Sequence, residues 1–256
     1  MVAFLSIVAG VLGLAVGSFL NVVAYRVPLG RSVVYPPSAC PSCESPIAWR
    51  DNIPVLSWFL LRGRCRNCAE PFSIRYAIVE ALTGLLFATT VLVVGLEWVV
   101  IGHLVFVAVT MTLIITDLDH QRIPNRILYP GGAAAIAVLG AGAALDGELS
   151  AFGRGLLGGL AYFAALLVLA LLAGGGFGMG DVKLAVLLGA FAGFWGWGHV
   201  LVAALLAFVG GGLVSLVLLA LRIKGRKDRI PFGPYLVIGA WLAIAVGDPL
   251  IDWWLG

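Results

Sequence analysis

The stretch Gly174-Gly175-Gly176-Phe177-Gly178-Met179-Gly180-Asp181-Val182-Lys183 interrupts a chain that is otherwise almost continuously apolar. Five glycines fall within seven residues, and an acid and a base follow directly. Glycine permits positive φ and close approach of backbones. An ionisable residue at the end of a membrane segment, behind such a break, indicates a functional site. The alternative interpretation is that Asp181 N-caps the following helix, as aspartate often does.

The composition predicts a membrane protein. Hydrophobic residues make up 61% and charged residues 11% of the 256 residues, whereas soluble domains carry about 25% charged residues. Apolar runs of about 20 residues predict membrane-spanning helices. We predict an all-α polytopic fold whose eight spans are, roughly, 2–25, 75–95, 97–116, 127–145, 154–173, 182–195, 198–221 and 232–250. The first run lacks a basic n-region, which favours a span over a signal peptide.

We expect three parts along the chain. Residues 1–27 form the first transmembrane helix, 28–73 a cytoplasmic loop, and 74–256 a membrane core of seven helices. Fifteen of the 16 Lys and Arg fall in or beside alternate loops, and only Arg154 falls on the other side. Because cytoplasmic loops are enriched in basic residues, the odd-numbered loops are predicted to face the cytoplasm and both termini the outside. The net charge of +3 therefore reflects orientation and contact with anionic lipid, not nucleic-acid binding.

The first two spans contain small and polar residues. Gly13, Gly17 and Ser18 are predicted to let another helix approach closely, since small residues favour packing in membranes. Glu80 lies about one turn inside the second span, where pairing with a nearby arginine is the preferred interpretation over catalysis. In the third span, His103 is predicted to make a buried polar contact, because no other ligand type accompanies it.

The first loop contains all four cysteines, as two CxxC pairs separated by 21 residues: Cys40, Cys43, Cys65 and Cys68. This spacing is typical of a tetrahedral zinc site in a ribbon-like fold. Four sulfur ligands leave no open position, so the zinc is expected to be structural. Two disulfides are disfavoured because the cytosol is reducing, and a redox CxxC would leave the second pair unexplained.

A second acid lies at the same depth as Asp181. Asp117 continues the apolar run of the third span, whereas Asp119 and His120 lie further into the loop. Two carboxylates that share a proton cannot easily both ionise, so one acts as base and the other as acid. Asp117 and Asp181 therefore predict an aspartic-protease arrangement. For Asp119 and His120, a solvated helix end is the simpler interpretation.

The chain resembles the prepilin peptidases, a type IV leader peptidase family of GxGD-type membrane aspartic proteases. The resemblance runs almost from end to end and is specific when its motifs are taken together. Those motifs are Gly17 to Pro28, the two CxxC pairs, Arg62 to Cys65, Arg75 to Glu80, Asp117 to Asn125, Gly178 to Leu184 and Ile230 to Tyr235. Two departures are Ala77, where a proline is usual, and Tyr235, where a phenylalanine is common.

The resemblance implies a function as well as catalytic residues. The family's catalytic acids match Asp117 and Asp181. The implied activity is cleavage of the basic leader from type IV prepilins and pseudopilins at the cytoplasmic face of the bacterial inner membrane. Methylation of the new N-terminus, with S-adenosylmethionine as donor, is implied by the resemblance alone. The loop of about 46 residues is too small for a dinucleotide-type methyltransferase domain and has no GxGxxG run.

Three alternatives to the bifunctional enzyme remain open. A family member with peptidase activity alone would lack the methyl donor. A transporter would bind ions with intramembrane acids beside a broken helix, but it would show paired half-sequences and acids nearer the midplane. A zinc-ribbon membrane adaptor would explain the cysteines and leave both aspartates without a role.

Overall fold

The computed structural model describes residues 1–172, 178–223, 225 and 230–255. Gly174 to Phe177 of the glycine-rich stretch lie outside the described residues, as do Lys224, Lys227 and two arginines of the seventh loop. The described chain is almost entirely helical. Its helices are α1 (Val2–Arg26), α2 (Leu56–Leu60), α3 (Arg75–Val94), α4 (Val99–His120), α5 (Asn125–Asp146), α6 (Leu149–Leu172), α7 (Met179–Trp195), α8 (Trp197–Ala220) and α9 (Gly233–Leu255), with a 3₁₀ turn at Trp49–Asp51.

The helices confirm the all-α membrane fold. Within the described residues, seven helices are long and apolar enough to cross a membrane. The eighth long helix, α7, has 17 residues and is about 26 Å long at 1.5 Å per residue. It is therefore close to the lower limit of about 17 residues for a transmembrane helix. Every predicted span corresponds to one of these eight helices.

The chain divides into two compact units, Met1–Leu96 and Glu97–Gly256. In the first unit, α1 packs along α3 through small residues, as predicted. A Cβ on Gly13 would lie 2.7 Å from Cβ of Phe87, and one on Gly17 would lie 2.8 Å from Cα of Glu80. Neither position admits a larger side chain, so these glycines set the close approach of the two helices. Between α1 and α3 runs the loop that contains the cysteines.

In the second unit, α7 lies at the centre and packs against α6, α8 and α9. Nearly all of α7 is buried, from Val182 to Phe194. Helix α6 approaches it through glycines: a Cβ on Gly155 or Gly159 would lie 2.6 Å from a backbone oxygen of α7. Because a helix packed this tightly has little freedom to shift, α7 holds the residues at its first turn in fixed positions.

Candidate active site and cysteine cluster

Asp117 is buried at the end of α4. Its side chain is on the buried face of the helix together with Leu113 and Thr110, and only 4% of the residue is exposed. The backbone N–H of Gly233, the first residue of α9, donates a hydrogen bond of 3.1 Å to Asp117 Oδ2. Asp119, two residues further along α4, is exposed, because two residues turn a helix by about 200°. The two acids of this segment therefore lie in different environments.

Asp181 lies in the first turn of α7. Helix α7 begins at Met179, and its N-cap residue is Gly178. The interpretation of Asp181 as the N-cap is therefore wrong, because the Met-Gly pair before it is already helical. A Cβ on Gly178 would lie 2.9 Å from Asp181 Oδ2. Glycine at the cap thus leaves space for the carboxylate.

The starts of α7 and α9 meet the end of α4 around one apolar side chain. Ile123, just after α4, lies against both Gly180 of α7 and Gly233 of α9: a Cβ on either glycine would come within 3.4 Å of its side chain. Asp117 contacts Gly233, and Asp181 directly follows Gly180, so Ile123 is the common neighbour of the two acid-bearing segments. The structure thus brings together the two acids that the sequence predicts as catalytic.

Gly233 is a residue of this site that the sequence analysis did not assign. Besides donating its N–H, it is in close contact with the carboxylate, since a Cβ there would lie 2.7 Å from Asp117 Oδ2. The signal in the sequence was a glycine flanked by Phe232 and Pro234 at the start of an apolar run. That pattern marks a helix start, but it does not reveal which side chain the helix start contacts.

Two polar side chains of the second unit, Lys183 and His103, have described partners. Lys183, on α7, extends to α5, where its Nζ donates to Asn125 Oδ1 over 3.4 Å. His103 makes the predicted buried polar contacts: Trp195 Nε1–H donates to its Nε2 over 3.1 Å, and its Nδ1 lies 2.9 Å from Val99 O. His103 is thus held within the core of the second unit, near the start of α4, whereas Asp117 lies near the end of the same helix.

The four cysteines converge in the first unit. Each CxxC pair forms a tight knuckle closed by an isolated bridge, Ala39 with Pro46 and Arg64 with Pro71. All four Sγ atoms lie within 4.8 Å of one another. Sγ of Cys40 and Cys68 are 3.7 Å apart, and Sγ of Cys43 and Cys65 are 3.9 Å apart. All four cysteines have free thiols in the structure, so each sulfur is available as a ligand.

This spacing fits a four-coordinate metal. A tetrahedron with metal–sulfur bonds of about 2.3 Å has sulfur–sulfur edges of about 3.8 Å. Hydrogen bonds from the Ser45 hydroxyl and backbone lower the pKa of Cys43 to about 6. Backbone N–H groups of Cys68 and Asn67 likewise lower the pKa of Cys65. Both effects favour thiolates, the form that binds metal, at two of the four positions. At Cys68 a backbone hydrogen bond with Glu70 is outweighed by burial and the neighbouring thiols, which raise the pKa to about 12, so the thiolate there would depend on the charge of the metal itself. The cluster is therefore suited to hold a metal ion.

Glu80 has a described partner in the loop. Its Oε2 accepts a hydrogen bond of 2.6 Å from the backbone N–H of Val55. Val55 has φ 62° and ψ −53°, which is unusual for a β-branched residue. The carboxylate of α3 therefore fixes an unfavourable turn of the loop that contains the cysteines.

Comparisons with known proteins agree with this two-unit architecture. Residues 11–94 match the Bacterial Peptidase A24 N-terminal domain, and residues 104–216 match the Type IV leader peptidase family. A protein named prepilin leader peptidase/N-methyltransferase from Aeromonas hydrophila is 34% identical over 94% of this chain and 91% of its own length.

Two more relatives have the same name. The one from Neisseria gonorrhoeae is 34% identical over 96% of this chain and 93% of its own. The one from Myxococcus xanthus is 40% identical over 82% of this chain and 62% of its own. No solved structure was found to match. Relatives that are 34% identical are matched over more than 90% of their length, and both domains of the family are present in order. This chain therefore belongs to the type IV leader peptidase family.

Proposed function

We propose that the protein is a membrane-embedded aspartic endopeptidase that removes the basic leader from type IV prepilins or pseudopilins. The observation that carries the proposal is the packing of the two acid-bearing segments on one side chain: Ile123 lies against Gly180, which directly precedes Asp181, and against Gly233, which contacts Asp117. Membership in the leader peptidase family supplies the substrate class, since the relatives are named for prepilin processing. The transporter and adaptor alternatives lack such support.

In the proposed mechanism the two carboxyl groups share one proton. Asp117 is the ionised partner, because the Gly233 N–H at the start of α9 donates to its Oδ2 and a hydrogen bond to the carboxylate favours the charged form. Asp117 removes a proton from a water molecule, whose oxygen attacks the scissile carbonyl carbon. Asp181, protonated, donates to the carbonyl oxygen as the tetrahedral intermediate forms. Asp117 then delivers the proton it took from water to the amide nitrogen, the carbon–nitrogen bond breaks, and a hydroxyl proton of the intermediate returns to Asp181, which releases the leader and restores both carboxyl groups.

The second proposed activity is N-methylation of the newly exposed N-terminus. It is supported by the names of the relatives, which include N-methyltransferase in each case. These names disfavour the peptidase-only alternative. S-adenosylmethionine is the proposed donor. When bound, it supplies an electrophilic methyl group on a sulfonium.

The direct test incubates the purified protein in detergent with a synthetic prepilin peptide, with and without S-adenosylmethionine. Mass spectrometry then follows both products. The expected result is leader cleavage in both reactions and a mature fragment one methylene heavier only when the donor is present. An intact peptide under both conditions would reject the peptidase proposal.

We propose further that the metal at the cysteine cluster is zinc and that it is structural. A closed set of four sulfur ligands, Cys40, Cys43, Cys65 and Cys68, supports this proposal, because catalytic zinc sites keep one position open. The zinc would join the two knuckles and so order the loop between α1 and α3.

The orientation proposed here places the active site at the cytoplasmic face of the inner membrane. The distribution of Lys and Arg among alternate loops supports it. Reporter fusions after Cys68 and after Lys227 are expected to report the cytoplasm, and a fusion near Asp146 the outside. If Cys68 and Asp146 report the same side, this topology is wrong.

A further inference from the structure

The short helix α2 exposes an apolar face in the loop between α1 and α3. The exposed fractions of Leu56, Phe59 and Leu60 are 50%, 63% and 69%. Their spacing of three and four residues places these side chains on one side of the helix. Large apolar side chains exposed together in a polar loop indicate a surface that meets something other than water. The position of α2 in the first unit indicates what covers this face.

The other side of α2 is fixed to the loop by side-chain hydrogen bonds. Ser57 is buried, and its Oγ donates to Arg50 O over 3.2 Å. Trp58 Nε1 donates to Phe72 O over 3.2 Å, and its ring lies against Gly63, where a Cβ would come within 2.9 Å of the indole. Because these contacts hold the polar side of α2 inward, its apolar face points outward.

Helix α3 sets the position of α2 along the membrane normal. Glu80 Oε2 accepts a hydrogen bond of 2.6 Å from the Val55 N–H, directly before α2. Val55 has a φ of 62°, and strained backbone of this kind persists only where its surroundings maintain it. The buried carboxylate of α3 does so here. The start of α2 is therefore fixed by a membrane helix and not by the loop alone.

The length of α3 shows where that fixed point lies. Its 20 residues, Arg75–Val94, extend about 30 Å, which is the thickness of the hydrocarbon core. The first turns of α3 therefore lie at the edge of the hydrocarbon. Glu80 is the sixth residue of the helix, about 7.5 Å from its start, and helical side chains lean towards the N-terminus. Helix α2 thus begins at the level of the membrane interface.

Exposed arginines flank α2 at both ends. Arg50 precedes the helix and Arg62 follows it. The Arg62 N–H donates to Phe59 O over 3.0 Å, and Arg50 O accepts from Ser57 Oγ, so both residues are held beside the helix. An apolar face with basic residues at its margins is typical of a helix that lies in the membrane interface. Arginines in this position attract anionic headgroups.

We propose that α2 inserts Leu56, Phe59 and Leu60 into the leaflet at which α1 ends and α3 begins, with Arg50 and Arg62 on the phosphates of anionic lipid. The loop is thereby attached to the bilayer between its two cysteine knuckles. A second copy of the chain is disfavoured as the partner, because three side chains offer far less than the area of about 800 Å² per partner that stable interfaces bury. A basic leader peptide is disfavoured by the two arginines.

The test places a photoreactive side chain on the apolar face. The full-length protein, with p-benzoylphenylalanine in place of Phe59, is reconstituted into vesicles of phosphatidylethanolamine and phosphatidylglycerol and irradiated. Mass spectrometry is expected to show phospholipid attached at this position. The same label at Ser42, an exposed residue of the first knuckle, is the control and is expected to give no lipid adduct. If the labelled Phe59 variant does not elute as the wild type does on gel filtration, the label is placed at Leu60.

The lipid composition of the adducts tests the arginines. Since each arginine near an anionic surface contributes about a fivefold preference, phosphatidylglycerol should be enriched in the adducts by about fivefold or more over its share of the vesicles. Arg62→Gln is expected to lower this enrichment severalfold. Arg31→Gln removes the same charge at another exposed position of the loop and is expected to leave the enrichment unchanged.

Four results would overturn the proposal. Lipid adducts that are absent at Phe59, or equal at Phe59 and Ser42, would show that α2 does not insert. An adduct between two protein chains would assign the apolar face to a second copy. An adduct with a prepilin peptide added to the vesicles would assign the face to the substrate. An unchanged enrichment in Arg62→Gln would exclude the arginine from lipid binding. All of these measurements are independent of leader cleavage and methylation.

Discussion

The aspartate site and the cysteine cluster are assembled in opposite ways. Each cysteine knuckle closes on itself through short-range backbone bonds, Cys40 N–H to Ser45 O and Cys65 N–H to Glu70 O. At the aspartate site, the hydrogen bond from Gly233 to Asp117 joins residues 116 apart in sequence. The first site is therefore built locally, and the second depends on how α4, α7 and α9 pack.

This difference predicts different sources of stability. Of the four cysteines, only Cys40 is buried, so apolar burial contributes little to their arrangement and a bound metal would contribute much. Asp117 is buried among packed helices, where a change of one methyl group matters. Substitutions at one site should therefore leave the other site intact.

The largest effect is expected at the aspartates. Asp117→Asn or Asp181→Asn removes the shared proton while keeping the size of the side chain. Loss of a general acid or base costs about 10²–10⁴-fold in rate, and loss of the pair should fall at the severe end. Leader cleavage is measured at matched protein level. Asp119→Asn, on the exposed side of the same helix, is the control and should be much milder.

Two results would contradict this assignment. A nearly normal Asp117→Asn beside an inactive Asp119→Asn would move the second acid to position 119. Leader cleavage by the Asp181→Asn variant would exclude the aspartic mechanism. Methyl transfer to an already cleaved peptide should persist in both aspartate variants, because the proposed methylation does not use the aspartate pair.

The second prediction tests the long-range contact at Gly233. In Gly233→Ala, the new Cβ would lie 2.7 Å from Asp117 Oδ2, so the carboxylate must move. Displacement of a catalytic group by about 1 Å can cost about 10²-fold, and we expect kcat for cleavage to fall by that order with little change in KM. The matched control is Gly212→Ala on α8, where a Cβ meets nothing within 4 Å. Equal activity in the two variants would show that Gly233 does not position Asp117.

The third prediction concerns the metal. The purified protein should contain about one zinc per molecule by elemental analysis, and Cys40→Ser combined with Cys43→Ser should lose it. Since metal binding contributes folding free energy, the loop should become sensitive to proteases, whereas Glu97–Gly256 should stay protected. Ser42→Ala, within the same knuckle but without a thiol, is the control. Metal-free protein of full stability would end the structural-zinc proposal.

The sequence predicted the locally built site more completely than the packed one. The spacing of Cys40, Cys43, Cys65 and Cys68 was enough to bring the four thiols together, because each knuckle is set by its own turn. Asp117 and Asp181 could be found at the edges of apolar runs. Their contacts with Gly233 and Gly178 could not, because hydrophobic periodicity locates a helix without giving its neighbours.

Because sequence patterns do not show the tertiary neighbours of a helix, the prediction and the structure differ at two other places. Helix α7 begins at Met179, three residues before the predicted start, because the helical Gly180 packs on Ile123 and so offsets the poor helix propensity of glycine. The hydrogen bond between Glu80 and the backbone of Val55 joins residues 25 apart. An acid in a span suggests an arginine partner, but nothing local in the sequence indicates a strained turn.

The smallest effect is expected at an ion pair beside the second knuckle. Arg66 donates to both carboxylate oxygens of Asp51, at 2.8 Å from Nε to Oδ2 and 2.6 Å from Nη2 to Oδ1, which ties the Trp49–Asp51 turn to the cluster. The hydrogen bond from Arg66 lowers the pKa of Asp51 below its ordinary value. The contribution of this ion pair to stability is therefore present above about pH 3.9, the unfolded value, and is lost as the pH falls through the lower folded pKa of Asp51.

Arg66 is half exposed, so Arg66→Ala should lower the unfolding temperature only slightly at pH 7, and that difference should vanish in acid. Arg31→Ala, an exposed arginine of the same loop, is the control, measured by thermal unfolding at both pH values. A difference that persists unchanged once Asp51 is protonated in acid would mean that Arg66 acts through packing rather than through its charge.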